Sequence, residues 1–153
     1  MIRPDWKQPL WDERVKLMAA LVPRGSRVLD VGAGAQTLRR YLKDCTYSAA
    51  DLDSDPALDF ESGLYPEGWW DVAVLSGALE YASRPGVVLK ELARLTPRAF
   101  ISFSHGGSLD YRRRQGWRCH LSRAAFEQLA ERAGWKHKIV GHWRGHSIYE
   151  VTR

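Results

Sequence analysis

The chain has 153 residues, 44% hydrophobic and 27% charged, enough apolar material to bury the core of about one domain and too much for a disordered tail. Its 23 Lys and Arg against 18 Asp and Glu give a formal charge of +5 and a pI near 9.4, which favours acidic partners without demanding nucleic acid. No apolar run approaches the roughly 18 residues of a membrane span, the N-terminal MIRPDWKQPL lacks the layout of a signal peptide, and Cys45 and Cys119 have neither disulfide-framework nor metal-ligand spacing, so a cytoplasmic domain without a metal is expected.

Trp11, Val15, Met18 and Val22 recur at helical spacing and predict an amphipathic helix that Pro23 and Gly25 end. Residues 27–31 form a short apolar strand closed by Gly32-Ala33-Gly34, and Leu38, Tyr41 and Leu42 predict a helix directly after it. Residues 46–53, 71–75 and 100–103 are further strands, the last two nearly continuous in apolar residues, as parallel strands covered on both faces are. Between those two, Pro85 opens a helix with Val88, Leu89, Leu92 and Leu95 facing inward and Pro97 following it. Ser122 is placed to cap a helix that faces inward through Phe126, Leu129 and Ala130, with Gly134 as its left-handed stop. Residues 136–143 and 146–153 then pair as a hairpin about Arg144-Gly145. Alternating strands and helices followed by a hairpin predict one α/β domain, its sheet mostly parallel with helices on both faces and an antiparallel hairpin at the C-terminal end.

A glycine turn between a parallel strand and a helix lets backbone approach a ligand closely at the carboxyl edge of the sheet, although such turns also serve simply to reverse the chain. Asp51 follows Gly32 at close to the ~20-residue spacing at which a carboxylate accepts from both hydroxyls of a ribose. The alternative is a solvated loop with Asp51, Asp53 and Asp55 as surface charges. A nicotinamide cofactor is the weaker reading, because Thr37 stands where its fingerprint wants a third small residue and 153 residues leave little room for the second domain a dehydrogenase normally needs.

Val28 to Gly34 resembles motif I of class I S-adenosylmethionine (SAM)-dependent methyltransferases, residues 71–81 (DVAVLSGALEY) resemble the family's fourth-strand motif, and Ala133-Gly134-Trp135 resembles the turn before its final hairpin. The resemblance implies a seven-stranded Rossmann-like sheet with the last strand antiparallel. It implies that Gly32 and Gly34 pass close to the methionine part of SAM, with Asp30 organising contacts to the amino group. Asp51 would take the ribose hydroxyls, Leu52 would pack on adenine, Asp59 and Phe60 would lie near the adenine edge, and Ser76 and Gly77 would line the cleft under the sulfonium. In this fold the N-terminal arm and helix, residues 1–25 with Trp6 and Trp11, can cover the acceptor cleft of the methyltransferase domain at 26–153. The pattern is similar to small MetW-like proteins of methionine biosynthesis and to compact methyltransferase domains associated with polysaccharide biosynthesis. Three departures stand out: Gln36 where the family usually has a third glycine, the short stretch between Asp51 and Asp59, and Tyr81 in place of a frequent histidine.

Methyl transfer is an in-line displacement in which alignment supplies most of the catalysis, and a base is needed only for a protonated acceptor. His105, just past the strand at 100–103, is the candidate for proton transfer, with Tyr81 and Glu80 as the other candidates; for each the plainer reading is a capping or packing residue. In the basic stretch from Tyr111 to Arg118, Arg112 and Arg113 are candidates to grip an anionic acceptor, the alternative being a solvated loop, and Trp11 is a candidate to cover that acceptor. Of the seven tryptophans, Trp135 and one of Trp69 and Trp70 are expected in the core. The function expected is methyl transfer from SAM to a small-molecule or carbohydrate-linked acceptor. A non-catalytic SAM-binding module accompanying a partner enzyme is the alternative. An RNA-modifying enzyme is a third class, but it would more often carry an Asn-Pro-Pro-Tyr-like motif where this chain has Leu75 to Ala78 (LSGA).

Overall fold

Four short apolar strands, β1 (Arg27–Val31), β2 (Thr46–Ala50), β3 (Val72–Leu75) and β4 (Arg98–Ser104), lie parallel in the computed structural model, which describes residues 9–52 and 54–153. A hairpin of β5 (Lys136–Trp143) and β6 (His146–Thr152) completes the sheet, β6 running antiparallel to β4, in the order β2-β1-β3-β4-β6-β5. The hairpin turns on Arg144 and Gly145, both at positive φ, the conformation whose twist matches the flanking strands.

Strand alternation divides the core between the two faces of the sheet. Leu29, Val31, Ala73, Leu75, Ile101 and Phe103 face α2 (Pro85–Leu95) and α4 (Arg123–Arg132), which bring Val88, Leu89, Leu92, Phe126 and Ala130 to the same cluster. Trp135 is locked there by its indole N–H, which donates to the Leu89 carbonyl at 2.9 Å. Val28, Val72, Val74 and Phe100 face the opposite way, against Met18 and Ala19 of α1 (Pro9–Leu21) and Val22 just after it. Each such fully buried side chain contributes about 1.5–3 kcal/mol. Ser122 caps α4 by accepting from the Ala125 N–H, and Gly134 follows that helix at φ 92°. Trp70 and Trp135 are buried while Trp69 is 60% exposed.

Three expectations are corrected. The helix expected after the glycine turn is only a 3-10 turn, Thr37–Arg40, because left-handed residues at Gln36 and Asp44 bound the segment before β2 begins. Among the described residues the sheet has six strands rather than the seven implied by the resemblance. The Leu58 N–H donates to the Asp51 carbonyl just past β2, and among the described residues no further strand is added, so β2 is the sheet edge. The basic stretch contains a short helix, α3 (Leu109–Arg114), capped by Ser108, whose hydroxyl accepts from the Tyr111 N–H. Trp6 lies outside the described residues.

Candidate functional site

The carboxyl ends of β1, β2 and β3 open into a cleft of about 490 Å³ roofed by the first turns of α1. Asp30 and Gly32 enter it from β1, Asp51 from the end of β2, and Ser76 and Gly77 from the end of β3. Gly34, Leu52, Asp59 and Phe60 line the same end, so all nine cofactor candidates meet at one cleft.

The glycine turn is built for close approach. Gly32 sits at φ 69°, and a Cβ placed on it would stand 2.5 Å from the Ala78 Cβ and 3.5 Å from the Phe60 ring. The Gly34 N–H donates to the Asp51 carboxylate at 3.1 Å, tying the turn to the second strand. Gln36, where the family usually has glycine, is left-handed at φ 59°. The backbone conformation that glycine favours is therefore kept with a side chain in place.

Asp30 is nearly wholly buried and accepts from the Tyr47 hydroxyl at 2.6 Å. Burial outweighs that hydrogen bond and raises its pKa to about 7. Asp59 caps the 3-10 turn Phe60–Ser62, its two oxygens accepting from the Glu61 N–H and the Ser62 hydroxyl. Leu52 is 63% exposed at the lip.

The other end of the cleft is aromatic and basic, lined by Trp11, Arg14, Tyr81, Trp117 and Arg118. Tyr81 is the one candidate of the proposed proton-transfer set that reaches it, and burial raises its pKa. Glu80 is buried beneath, its Oε1 accepting from the Ser104 N–H while its carbonyl accepts from the Arg118 and Cys119 N–H groups. Burial raises the Glu80 pKa also.

His105 lies outside the cleft, packed among Phe103, Phe126 and Tyr149. Its ring nitrogens are engaged by the Leu121 carbonyl at 3.1 Å and the Tyr149 hydroxyl at 2.9 Å. Its pKa is lowered by burial, and its placement is that of a packing residue.

The pair Arg112 and Arg113 also falls outside the cleft lining. The turn of α3 carries Arg112 inward, where it donates to the carbonyls of Ser104, Gly106 and Cys119 and to His120 Nδ1. Its guanidinium stacks under Trp117 at 4.9 Å, so Arg112 staples the loop that presents Trp117 and Arg118, while Arg113 is exposed. Trp11 does line the cleft.

Sequence reading missed Arg14. The available signal was its place three residues after Trp11, on the same helix face. Among the described residues no group of His, Cys, Asp and Glu has the clustering of a metal site, and no helix is long and apolar enough to cross a membrane.

A family model described as a methyltransferase domain matches residues 5–137. No curated protein matches the chain in sequence. Among solved structures, the chain is similar to 1,6-didemethyltoxoflavin-N1-methyltransferase of Burkholderia thailandensis, crystallised with 1,6-didemethyltoxoflavin and S-adenosylhomocysteine. That match has 17% identity, a TM-score of 0.70 and coverage of 97% of this chain and 80% of the other. It is also similar to magnesium protoporphyrin IX methyltransferase of Synechocystis, crystallised with S-adenosylhomocysteine, at 14% identity and TM-score 0.62, covering 94% and 84% of the two chains. A third likeness is to an S-adenosylmethionine-dependent methyltransferase of Mesorhizobium loti, at 14% identity and TM-score 0.63, covering 94% of this chain and 100% of the other. At these identities the likeness is one of fold.

Proposed function

The chain belongs to the methyltransferase-domain family, and on that premise we propose that it is a SAM-dependent methyltransferase acting on a small-molecule or carbohydrate-linked acceptor. The observation that carries the reading is the juxtaposition, in one cleft, of a glycine turn with no room for a Cβ at Gly32 and the two carboxyl groups of Asp30 and Asp51. When bound, SAM supplies a methyl group on a sulfonium, open to in-line displacement.

The residues present fit that group. Backbone at Gly32 and Gly34 lies against its methionine part, and Asp30, ionising opposite an ammonium, holds the amino group through a charge-assisted hydrogen bond. Asp51 accepts from the ribose hydroxyls while keeping its bond from Gly34. Leu52 and Phe60 cover the adenine, and Asp59, whose oxygens each retain an acceptor site, takes its amino group. Ser76 and Gly77 floor the cleft toward the acceptor, and α1, within the arm at residues 1–25, covers it.

Tyr81, Trp117 and Trp11 position the acceptor and keep water from the reacting atoms. With His105 and Glu80 packed away from the cleft, this site works by alignment rather than by a dedicated imidazole base. Two of the solved neighbours, the toxoflavin and protoporphyrin enzymes, are named for small-molecule acceptors, in keeping with this reading.

Calorimetric titration with SAM and S-adenosylhomocysteine tests it. The parent is expected to bind both, and Asp51→Ala to weaken binding by about 1–3 kcal/mol through loss of a charged acceptor. Absence of heat and of any spectral change with either ligand at micromolar concentrations would refute the reading.

A further inference from the structure

The basic stretch from Tyr111 to Arg118 sends its arginines to different places. Arg112 is occupied by backbone carbonyls and His120, Arg114 pairs with Asp110 at 3.2 Å, and Arg113 is exposed away from the cleft. Arg118 is the member of the stretch that lines the cleft. It is exposed, and among the described residues its guanidinium has no hydrogen-bond or ion-pair partner. The other cation of the lining, Arg14, is buried and electrostatically coupled to buried Glu80, so its charge is answered within the protein. Carboxylates line the cleft at Asp12, Asp30, Asp51, Asp59 and Glu61, and none of them stands within ion-pair distance of Arg118.

An exposed arginine is ordinarily a solvated surface charge, and this one differs in how it is mounted. Its own N–H and that of Cys119 donate to the Glu80 carbonyl at 2.7 and 3.1 Å, while the Cys119 carbonyl accepts from Arg112 at 3.1 Å. The backbone is therefore anchored on buried groups and only the side chain is left to move. Next to it Trp117 is 6% exposed, held edge-on by Tyr111 and His146 at ring separations of 6.0 and 6.1 Å. Tyr81 lines the same end of the cleft. A fixed aromatic wall that ends in a free guanidinium suits a ligand whose apolar or ring portion adjoins an oxyanion, taken by two parallel N–H bonds. The size of the cleft places that anion. Pockets of roughly 300–1,000 Å³ take one drug-sized ligand, and this one, of about 490 Å³, has to hold a nucleoside as well. The far end of an acceptor therefore reaches the mouth, where Arg118 stands.

We propose that Arg118 selects the acceptor by gripping an oxyanion, carboxylate or phosphate, on the part that stays at the mouth of the cleft, while Trp117 and Tyr81 flank the part inside. The inference rests on the methyltransferase reading of the cleft and adds the charge of the acceptor to it. An oxyanion pinned by a guanidinium is a poorer nucleophile, so this group is a handle and the methyl group goes to another atom of the same molecule.

The test titrates phenyl phosphate, benzoate and neutral benzamide into the parent, Arg118→Gln and Arg118→Lys. Binding is followed by tryptophan fluorescence with S-adenosylhomocysteine at saturation, at low and moderate salt. The parent is expected to bind at least one of the anions about tenfold or more tightly than benzamide, and less tightly as salt rises. Arg118→Gln should lose most of that preference and Arg118→Lys recover part of it, with the affinity for S-adenosylhomocysteine unchanged in both. Preference for phenyl phosphate assigns a phosphate handle, and preference for benzoate a carboxylate. A parent that favours neither anion, a preference that survives in Arg118→Gln, or an equal loss of S-adenosylhomocysteine affinity in that variant overturns the proposal. A parent that does not bind S-adenosylhomocysteine refutes the methyltransferase reading instead, and the same titrations run without it then decide the Arg118 assignment. Thermal melting accompanies the titrations, and because the side chain is exposed both variants should melt like the parent.

Discussion

Gly32→Ala is the sharpest probe of how tightly the turn is built. Two costs add. At φ 69° an L residue occupies the left-handed region, a penalty of about 1–2 kcal/mol. The new Cβ would also stand 2.5 Å from the Ala78 Cβ, and because that atom is fixed to backbone the 3-10 turn Leu79–Tyr81 that Ala78 precedes must shift, an overpacking cost of about 1–3 kcal/mol. The sum is about 2–5 kcal/mol, which for a domain of this size lowers the melting midpoint by roughly 5–20 °C. Urea and thermal unfolding of Gly32→Ala, Ala78→Gly and the double variant separate the two costs. Removing the opposing Cβ should return the steric part and leave the φ penalty, giving a favourable coupling of about 1 kcal/mol or more. If Gly32→Ala is as stable as the parent, or if the double variant is merely additive, the turn is looser than described. By the same geometry Gly32→Val, whose branched side chain would face Ala78, weakens the fold as well as filling the cleft.

The remaining predictions concern charge and backbone. Because burial raises Asp30 to about 7 from 3.8, the native state holds its proton more tightly than the unfolded chain. The associated stability is complete below the unfolded value and is lost as pH rises through about 7. Urea titrations at pH 4.5 and 7.5 should therefore show the parent losing on the order of a few kcal/mol more than Asp30→Asn over that interval; equal losses would refute the burial argument. Gln36→Gly should raise stability by about 0.5–1 kcal/mol, the relieved left-handed strain exceeding glycine's chain entropy, and a lower melting midpoint would contradict it. Arg112→Met, which orphans the carbonyls of Ser104, Gly106 and Cys119, should destabilise by about 3 kcal/mol or more. By contrast, Arg113→Glu should leave both melting and SAM affinity unchanged, and a shift in either would return that residue to the site.

Local patterning was enough for much of this protein. Apolar runs bounded by turn residues specified β1, β3, β4 and the terminal hairpin, because buried parallel strands and a two-residue turn at Arg144-Gly145 leave signatures within a few residues of sequence. Gly32, Gly34 and Asp51 were legible for a similar reason: a close-approach turn and a carboxylate at the next strand end stand at a spacing set by one strand-turn-strand unit. The short stretch between Asp51 and Asp59 was visible as a departure, though only the folded chain shows Leu58 bonded to Asp51 and, among the described residues, β2 left at the edge.

Tertiary structure decided which way the charged side chains point. Arg14 shares a helix face with Trp11, and the docking of α1 against β3 turns that face toward the cleft. Arg112 and Arg113 are adjacent in sequence, but one turn of α3 sends the first into the core and the second to solvent. His105 and Glu80 follow the strand ends that suggested them, yet their partners, Tyr149 and Leu121 for one and Ser104 for the other, come from distant segments. A side chain's role at this cleft depends on long-range acceptors and on burial, and neither is encoded in the spacing of its neighbours.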